Sequence, residues 1–291
     1  MSGPGWMAIG TGAMLDGGVK ATVVLTAGLG VAYLLRHKSA STRHGVYTAT
    51  LMTLPGLPLL AFQRGPDVAV DAPWLLAVWG AGLAATLAPL LVGLWKLERA
   101  WRDHTQHSPD GYRMSGSVST PLTFGWRQPR ILLPLDSVGW PEGRLRTVLA
   151  HERAHIRRRD WLVHVLVWFV CALFWFHPLA WQTRRLLRRD AEHAADDIAL
   201  GQLLSAADYA ETLVALARAR APRAALAQSP TELERRVRAV LEVRPRNGLG
   251  TLAFVALWGT LMSTAPALAS LQTWNPPTAA PTCAPTPEST P

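Results

Sequence analysis

Cysteine is nearly missing from this chain of 291 residues: Cys171 lies inside an apolar run and Cys283 in a Pro-rich tail. Two such positions exclude a disulfide framework and a metal site built on thiolates. Zinc-finger and helix-turn-helix spacings are missing too. The formal net charge of +9 therefore does not read as a nucleic-acid surface, and the arginines sit instead at the ends of apolar runs. No basic segment precedes the first apolar run and no small-residue cleavage site follows it, so a removed signal peptide is not expected. There is no internal repeat.

What the chain does have is long apolar runs alternating with short basic ones. A bilayer-spanning helix needs about 20 apolar residues, and four segments approach that: Val19 to Leu35, Val46 to Phe62 despite Pro55 and Pro58, Pro73 to Leu94, and Leu249 to Leu271. Arg36, Lys38 and Arg43 follow the first. Lys96, Arg99 and Arg102 follow the third. Arg235, Arg236, Arg238, Arg244 and Arg246 precede the fourth. The loop between the second and third holds Arg64, Asp67 and Asp71 and has no basic excess. Because cytoplasmic loops collect Lys and Arg, the expected topology is a multi-pass protein of the cell membrane with both termini outside. Residues 1–95 then form a three-helix membrane region, 96–247 a cytoplasmic domain, 248–272 a fourth helix, and 273–291 a disordered Pro/Thr-rich tail.

A fifth apolar run, Trp161 to Trp181, is flanked by Arg157, Arg158 and Arg159 on one side and by Arg184, Arg185, Arg188 and Arg189 on the other. Basic clusters at both ends argue against a net crossing, and His164, His177 and Pro178 interrupt the run. It reads as a buried or interfacial segment that returns to its own side. The cytoplasmic block opens with a linker, Glu98 to Tyr112. Short β-like runs follow at Met114 to Ser119, Leu122 to Trp126 and Arg130 to Leu133, punctuated by Gly125, Pro129 and Pro134. Helices are expected from Pro141 to Arg158, from Thr183 to Leu204, and onward to about Val243.

The sharpest chemical signal is His151-Glu152-Arg153-Ala154-His155. Positions four apart share a helix face, so both imidazoles reach one ion while Glu152 lies beside it without having to bind. Zinc suits two neutral His and a carboxylate, with a fourth position left for a water whose pKa it lowers to about 7, and a carboxylate such as Glu152 takes the proton. The third ligand has several candidates downstream: His164, His177, Asp190, Glu192, His193, Asp196 and Asp197. Glu192 and Asp196 are four apart. One carboxylate can bind the ion while the other holds a ligand His by its free ring N–H. Taken alone, the Asp190 to Asp197 stretch also reads as the solvated acidic end of a helix. If the ligand comes from it, a crossing by residues 161–181 would separate it from His155 by about 30 Å. The metal and the flanking arginines therefore ask for the same returning segment.

HERAHIRRRDWL at 151–162, FWFHPLAW at 174–181 and AEHAADDIAL at 191–200 resemble the BlaR/MecR family of membrane metallopeptidases, the antirepressor proteases of the β-lactam response. SASTRHGVY at 39–47 and STPLTFGWRQPRILLP at 119–134 match as well, so the resemblance covers roughly residues 19–270. It implies a mainly α membrane protein of about four spans, with a gluzincin-like α+β zinc peptidase domain facing the cytoplasm between the third and fourth. It implies one zinc held by His151, His155 and Glu192, Glu152 as general base, and Asp196 behind the ligands. It further implies signal-dependent cleavage of a cytoplasmic protein, a transcriptional repressor of the penicillinase-repressor type in many members, and self-cleavage in some. A lipid bilayer and a second copy of the chain are the other expected partners, with no direct nucleic acid.

Two departures stand out. The family often has Cys where this chain has Ala195, a position the metal does not need. No S-x-x-K motif or penicillin-binding sensor domain follows the fourth span, so the inducing signal is expected to differ. The competing reading is a non-catalytic transducer or scaffold with a structural metal, which would have no use for Glu152. A housekeeping membrane zinc protease would share the zinc motifs but lack the 123–134 and 177–181 segments. Smaller expectations are that His177 is a satisfied buried His at a chain reversal and that His193 faces away from Glu192. Arg157 to Arg159 are expected to face phospholipid. Gly80/Ala84 and Gly259/Ser263 are candidate helix-packing pairs. Arg130 to Leu133 is a candidate edge strand for an extended substrate.

Overall fold

A computed structural model describes residues 5–58, 72–103, 106–107, 111–202, 205–220 and 230–242. The expected fourth span, the tail, Cys283 and the Gly259/Ser263 pair lie outside these. The described residues are mostly helical, and two helices are long and apolar enough to cross a membrane. The first is α1 (Gly5–Leu34), through its Met14–Leu34 part; the second is α3 (Pro73–Arg102), through Trp74–Arg102. Both turn large apolar side chains outward, among them Val19, Val23, Trp74 and Leu91. A water-soluble core helix would hide these groups.

The segment expected to span at Val46 to Phe62 is not one helix. α2 runs over Ala40–Thr53, started by Ser39, whose hydroxyl accepts from the Thr42 N–H at 3.3 Å. It ends at Leu54, where Pro55 has no N–H to continue the backbone ladder, although Leu54 itself keeps helical angles of φ −58° and ψ −43°. Fourteen residues reach only about 21 Å. α2 is enclosed by other helices: His44, Val46, Thr48, Thr50 and Leu51 are all buried. Thr48 and Thr50 satisfy their hydroxyls on the carbonyls of His44 and Val46, at 2.9 and 2.8 Å. Residues 59–62 lie outside the described part.

α3 does not end at the expected domain boundary. It continues to Arg102 and docks on a small sheet, where Glu98 pairs with Arg130 at 2.8 Å and Ala100 is buried with Phe124 and Leu132. The stretch expected as linker thus holds the last turns of α3 and the strand β1 (Gln106–His107). The remaining strands are β2 (Tyr112–Ser115), β3 (Leu122–Phe124) and β4 (Arg130–Pro134). Sheet order is β1-β2-β4-β3, with β2 and β4 parallel and the outer pairings antiparallel. β4 is therefore interior, and the edge expectation for Arg130 to Leu133 is corrected: β3 is the edge on that side. Gly125 makes the β3–β4 turn at φ 91°, where a Cβ would press on the Gln128 carbonyl oxygen.

Helices α4 (Glu142–Arg158) and α5 (Asp160–Leu173) share one residue as cap, Arg159, which sits in the left-handed region at φ 57°. The chain then turns over at residues 174–177 and comes back as α6 (Pro178–Leu200). α5 and α6 form a hairpin whose Val167, Val170, Cys171, Phe174, Ala180 and Leu187 share a core with α1 and α2. The hairpin also lies against α3. Trp79 donates to the Leu173 carbonyl at 2.9 Å, Trp168 to that of Thr86 at 3.0 Å, and Trp175 to that of Trp79 at 3.2 Å. Gly82 of α3 is a packing glycine, where a Cβ would enter the Trp175 indole; Gly80 meets no side chain or backbone among the described residues. α7 (Ala206–Arg220) and α8 (Pro230–Leu241) close the other side, packing Tyr209, Leu213 and Val240 on Ala150, Ala199 and Leu200. α4 is thus held between these helices and the sheet, on which it packs Val148 and Leu149.

Candidate metal centre

The α5–α6 hairpin brings α6 back beside α4, and three side chains meet there. His151 and His155, one turn apart on α4, set their Nε2 atoms 3.1 Å apart. Glu192 of α6 offers Oε2 at 3.7 Å from His151 Nε2 and Oε1 at 3.9 Å from His155 Nε2. All three can present one ligand atom within 4.8 Å of the others. A tetrahedral ion with bonds of about 2.1 Å places its ligand atoms about 3.4 Å apart, close to these separations.

The hydrogen bonds behind the rings decide what the ring nitrogens facing one another are. His155 Nδ1 lies 2.8 Å from Asp160 Oδ2. His151 Nδ1 lies 2.9 Å from the Tyr209 hydroxyl and 3.2 Å from Asp196 Oδ1. Nδ1–H is the tautomer assigned by these acceptors, which leaves both Nε2 lone pairs aimed at each other and at a carboxylate. Lone pairs converging at 3.1 Å repel unless a proton or a cation lies between them, and with the Glu192 carboxylate alongside the donor set fits a divalent metal.

Further charges organise the carboxylates. Arg236 of α8 is buried and grips Asp196 through Nε and Nη2, at 2.9 and 2.8 Å, while its Nη1 lies 3.1 Å from Glu192 Oε2. Burial alone would raise the Glu192 and Asp196 pKa values, but Arg236 and His151 outweigh it and hold both well below the usual carboxylate range. Burial would lower the His151 pKa, yet hydrogen bonds to Asp196 and Glu192 raise it to about 10 when no cation lies at Nε2; a bound metal ion takes the place of that proton. Asp160 follows the Glu192 pattern: the His155 hydrogen bond and Arg158 overcome burial and bring it to about 2.

Glu152 is buried between the two histidines in sequence. Its Oε2 accepts from the Thr123 hydroxyl of β3 at 2.7 Å. The edge strand and the motif helix therefore meet at this carboxylate.

The structure sorts the remaining candidates. Asp190 points away and binds Arg43 of α2, at 2.8 and 3.1 Å. His177 sits at the hairpin turn, the expected chain reversal, with Nε2 3.0 Å from Thr22 Oγ1 of α1; its buried Nδ1 has no hydrogen-bond partner among the described residues, so the expected satisfied His is met at one ring nitrogen only. His193 turns toward Glu232, at 3.9 Å, and Asp197 lines a separate cavity on the same side. His164 lies within α5. Sequence reasoning did not find Thr123, Asp160, Tyr209 or Arg236. Only Asp160 carried a local signal, a carboxylate five residues after His155 at the end of an Arg run.

Residues 74–240, more than half of the chain, match the family described as BlaR1 peptidase M56. The chain belongs to that family of membrane-associated peptidases. It is 30% identical over 79 residues to the regulatory protein BlaR1 of Bacillus licheniformis, a match that covers 27% of this chain and 13% of that protein. Members are in general metallopeptidases, and the His151, His155 and Glu192 cluster supplies this chain with a set of metal donors.

Proposed function

We propose that this protein is an integral membrane zinc endopeptidase that cleaves a cytoplasmic regulatory protein, repressor-like in kind. The observation that carries the reading is the triangle of His151 Nε2, His155 Nε2 and Glu192, with a buried carboxylate, Glu152, next to it. His151, His155 and Glu192 hold the zinc. Asp160 and Asp196 fix the two imidazoles from behind and keep their Nε2 lone pairs free. Zinc bound there supplies Lewis-acid polarisation of the scissile carbonyl and a water of lowered pKa. Glu152 would act as the general base that accepts a proton from the attacking water and delivers it to the leaving amine, with Thr123 holding Oε2 in place. The edge of β3 receives an extended substrate by strand addition. This is a gluzincin-like arrangement.

The membrane reading extends the two apolar helices to four spans, the second broken by a turn at Leu54 and Pro55 into α2 and the residues that follow, with both termini outside and the domain in the cytoplasm. The basic residues at the ends of α1 and α3 support that orientation. Ser205→Cys, placed in a Cys171→Ser/Cys283→Ser variant that removes both native cysteines, is expected to label only when reagent reaches the cytoplasm; labelling from outside removes this topology.

Glu152→Gln is the decisive variant. It should bind zinc as the parent does and abolish cleavage. Comparing cytoplasmic proteins in cells carrying either form identifies the substrate as the band that persists only with the variant. Continued cleavage by Glu152→Gln would refute the mechanism.

A further inference from the structure

The α5–α6 hairpin packs on both long apolar helices, and each of them measures how far its turn reaches. On α1, His177 Nε2 lies 3.0 Å from Thr22 Oγ1, and Phe176 lies against Gly18, where an added Cβ would stand 3.4 Å from its ring. Thr22 and Gly18 are about 18 and 24 Å along the helix from Leu34, next to the basic turn. On α3, the Trp175 indole lies against Gly82, and the Trp79 indole donates to the Leu173 carbonyl. Gly82 and Trp79 are about 20 and 24 Å along that helix from Trp95, next to Lys96. The hairpin's own arms have matching lengths. α5, with 14 residues, is about 21 Å long. On α6, Asp190 binds Arg43, which in turn donates to the carbonyls of Arg36 and Lys38. From that level up to Pro178 is about 18 Å.

The turn also closes its backbone within the protein. The Leu173 carbonyl accepts from the Trp79 indole and the Trp175 carbonyl from the Trp181 indole, both at 2.9 Å. The Phe174 carbonyl accepts from the His177 N–H at 2.8 Å, and the His177 carbonyl from the Ala180 N–H at 3.1 Å. A turn in water can leave such groups to solvent, whereas one at hydrocarbon depth has to be satisfied by protein. The outward side chains beside it are apolar: Leu166 and Phe169 of α5 and Phe176 of the turn are all exposed. The exposed arginines of α6, Arg185 and Arg188, sit lower, about 8 and 3 Å from the level of Asp190. Long side chains at that height reach the interface. Arg184, one residue further up, lies 4.1 Å from the centroid of the Trp168 ring and 5.8 Å from that of Trp181.

We propose that α5 and α6 form a re-entrant hairpin that enters the bilayer from the cytoplasmic side, stops short of the outer surface, and lays Leu166, Phe169 and Phe176 on lipid acyl chains. The proposal rests on reading α1 and α3 as membrane spans. The turn then stands about 18–24 Å into a hydrocarbon core about 30 Å thick. Asp160 and Asp190 mark the mouth of the hairpin, on the cytoplasmic side. His155 and Glu192 lie next to them in the chain, so the metal donors are held at the membrane surface, where the substrate has to present its scissile bond.

The unaltered full chain is reconstituted in phosphatidylcholine vesicles whose acyl chains carry a photoactivatable diazirine, illuminated, and mapped by mass spectrometry. Label is expected on Leu166, Phe169 and Phe176 as well as on Val23 of α1; a hairpin without label beside a labelled Val23 would overturn the proposal. Depth is read from a spin label at Phe176→Cys, Val23→Cys or Ser205→Cys in the Cys171→Ser/Cys283→Ser variant. The ratio of collisions with oxygen to those with a polar nickel chelate should be alike at Phe176 and Val23. It should be about tenfold lower at Ser205, because a polar chelate stays out of hydrocarbon. A wet label at Phe176 with a lipid-facing one at Val23 would overturn the hairpin alone. Wet labels at both would overturn it together with the membrane reading of α1. Reaction of Phe176→Cys with an impermeant thiol reagent added outside would mean a crossing and would overturn re-entry. The lipid mapping decides the matter even if the cysteine variants do not fold. No readout requires zinc or cleavage, so failure here is separable from failure of the peptidase reading.

Discussion

Asp160 Oδ2 lies 2.8 Å from His155 Nδ1, across the single left-handed residue that separates the motif helix from the hairpin. The carboxylate is buried and also receives Arg158 Nε at 3.0 Å. One charged group thus sets the tautomer of a metal donor and ties down the junction between α4 and α5.

Asp160→Asn keeps the shape and removes the charge. Zinc affinity, measured by competition with a chromogenic chelator, is expected to fall about 10- to 100-fold. An unchanged affinity would mean that His155 is oriented by packing alone.

Arg236 stands between two carboxylates that carry charge in the folded protein. Arg236→Met leaves them buried together without a cation, at a cost of about 3–5 kcal/mol. Zinc restores a positive charge beside Glu192. The melting temperature should therefore drop more in chelator than in zinc. Equal losses in the two conditions would show that Arg236 acts only by packing.

Thr123→Val deletes the 2.7 Å hydrogen bond to Glu152 Oε2. Zinc content should not change, while kcat/KM for the substrate should fall about tenfold, the equivalent of about 1.4 kcal/mol. Full activity in this variant would free Glu152 from dependence on β3.

Gly82 and Gly80 form a matched pair on α3. Gly82→Ala drives a Cβ into the Trp175 indole and should destabilise the protein by about 1–3 kcal/mol. Gly80→Ala meets open space and should leave the melting temperature unchanged or slightly higher. A reversed order would contradict the seating of the hairpin against α3.

Much of this centre was legible in the sequence, because it depends on local spacing. His151 and His155 are one helical turn apart, and the arginines around residues 161–181 foretold a segment that returns, as the α5–α6 hairpin does. Glu192 and Asp196 emerged from seven candidates through resemblance. Their partners did not emerge. Arg236 meets Asp196 from 40 residues away and Tyr209 meets His151 from 58, separations that no periodicity encodes. The second apolar run was less legible than its composition suggested. It reads as continuous from Val46, but a turn at Leu54 and Pro55 breaks the helix there. β4 looked like an edge because its pairing with β2 is non-local.

The lone residue Arg159 leaves the motif helix no slack. A tilt of the apolar hairpin cannot be absorbed by a tether. It reaches the His155 ring through Asp160, the first residue of the hairpin, so whatever deforms the greasy half of the molecule is felt at His155 as a change in aim.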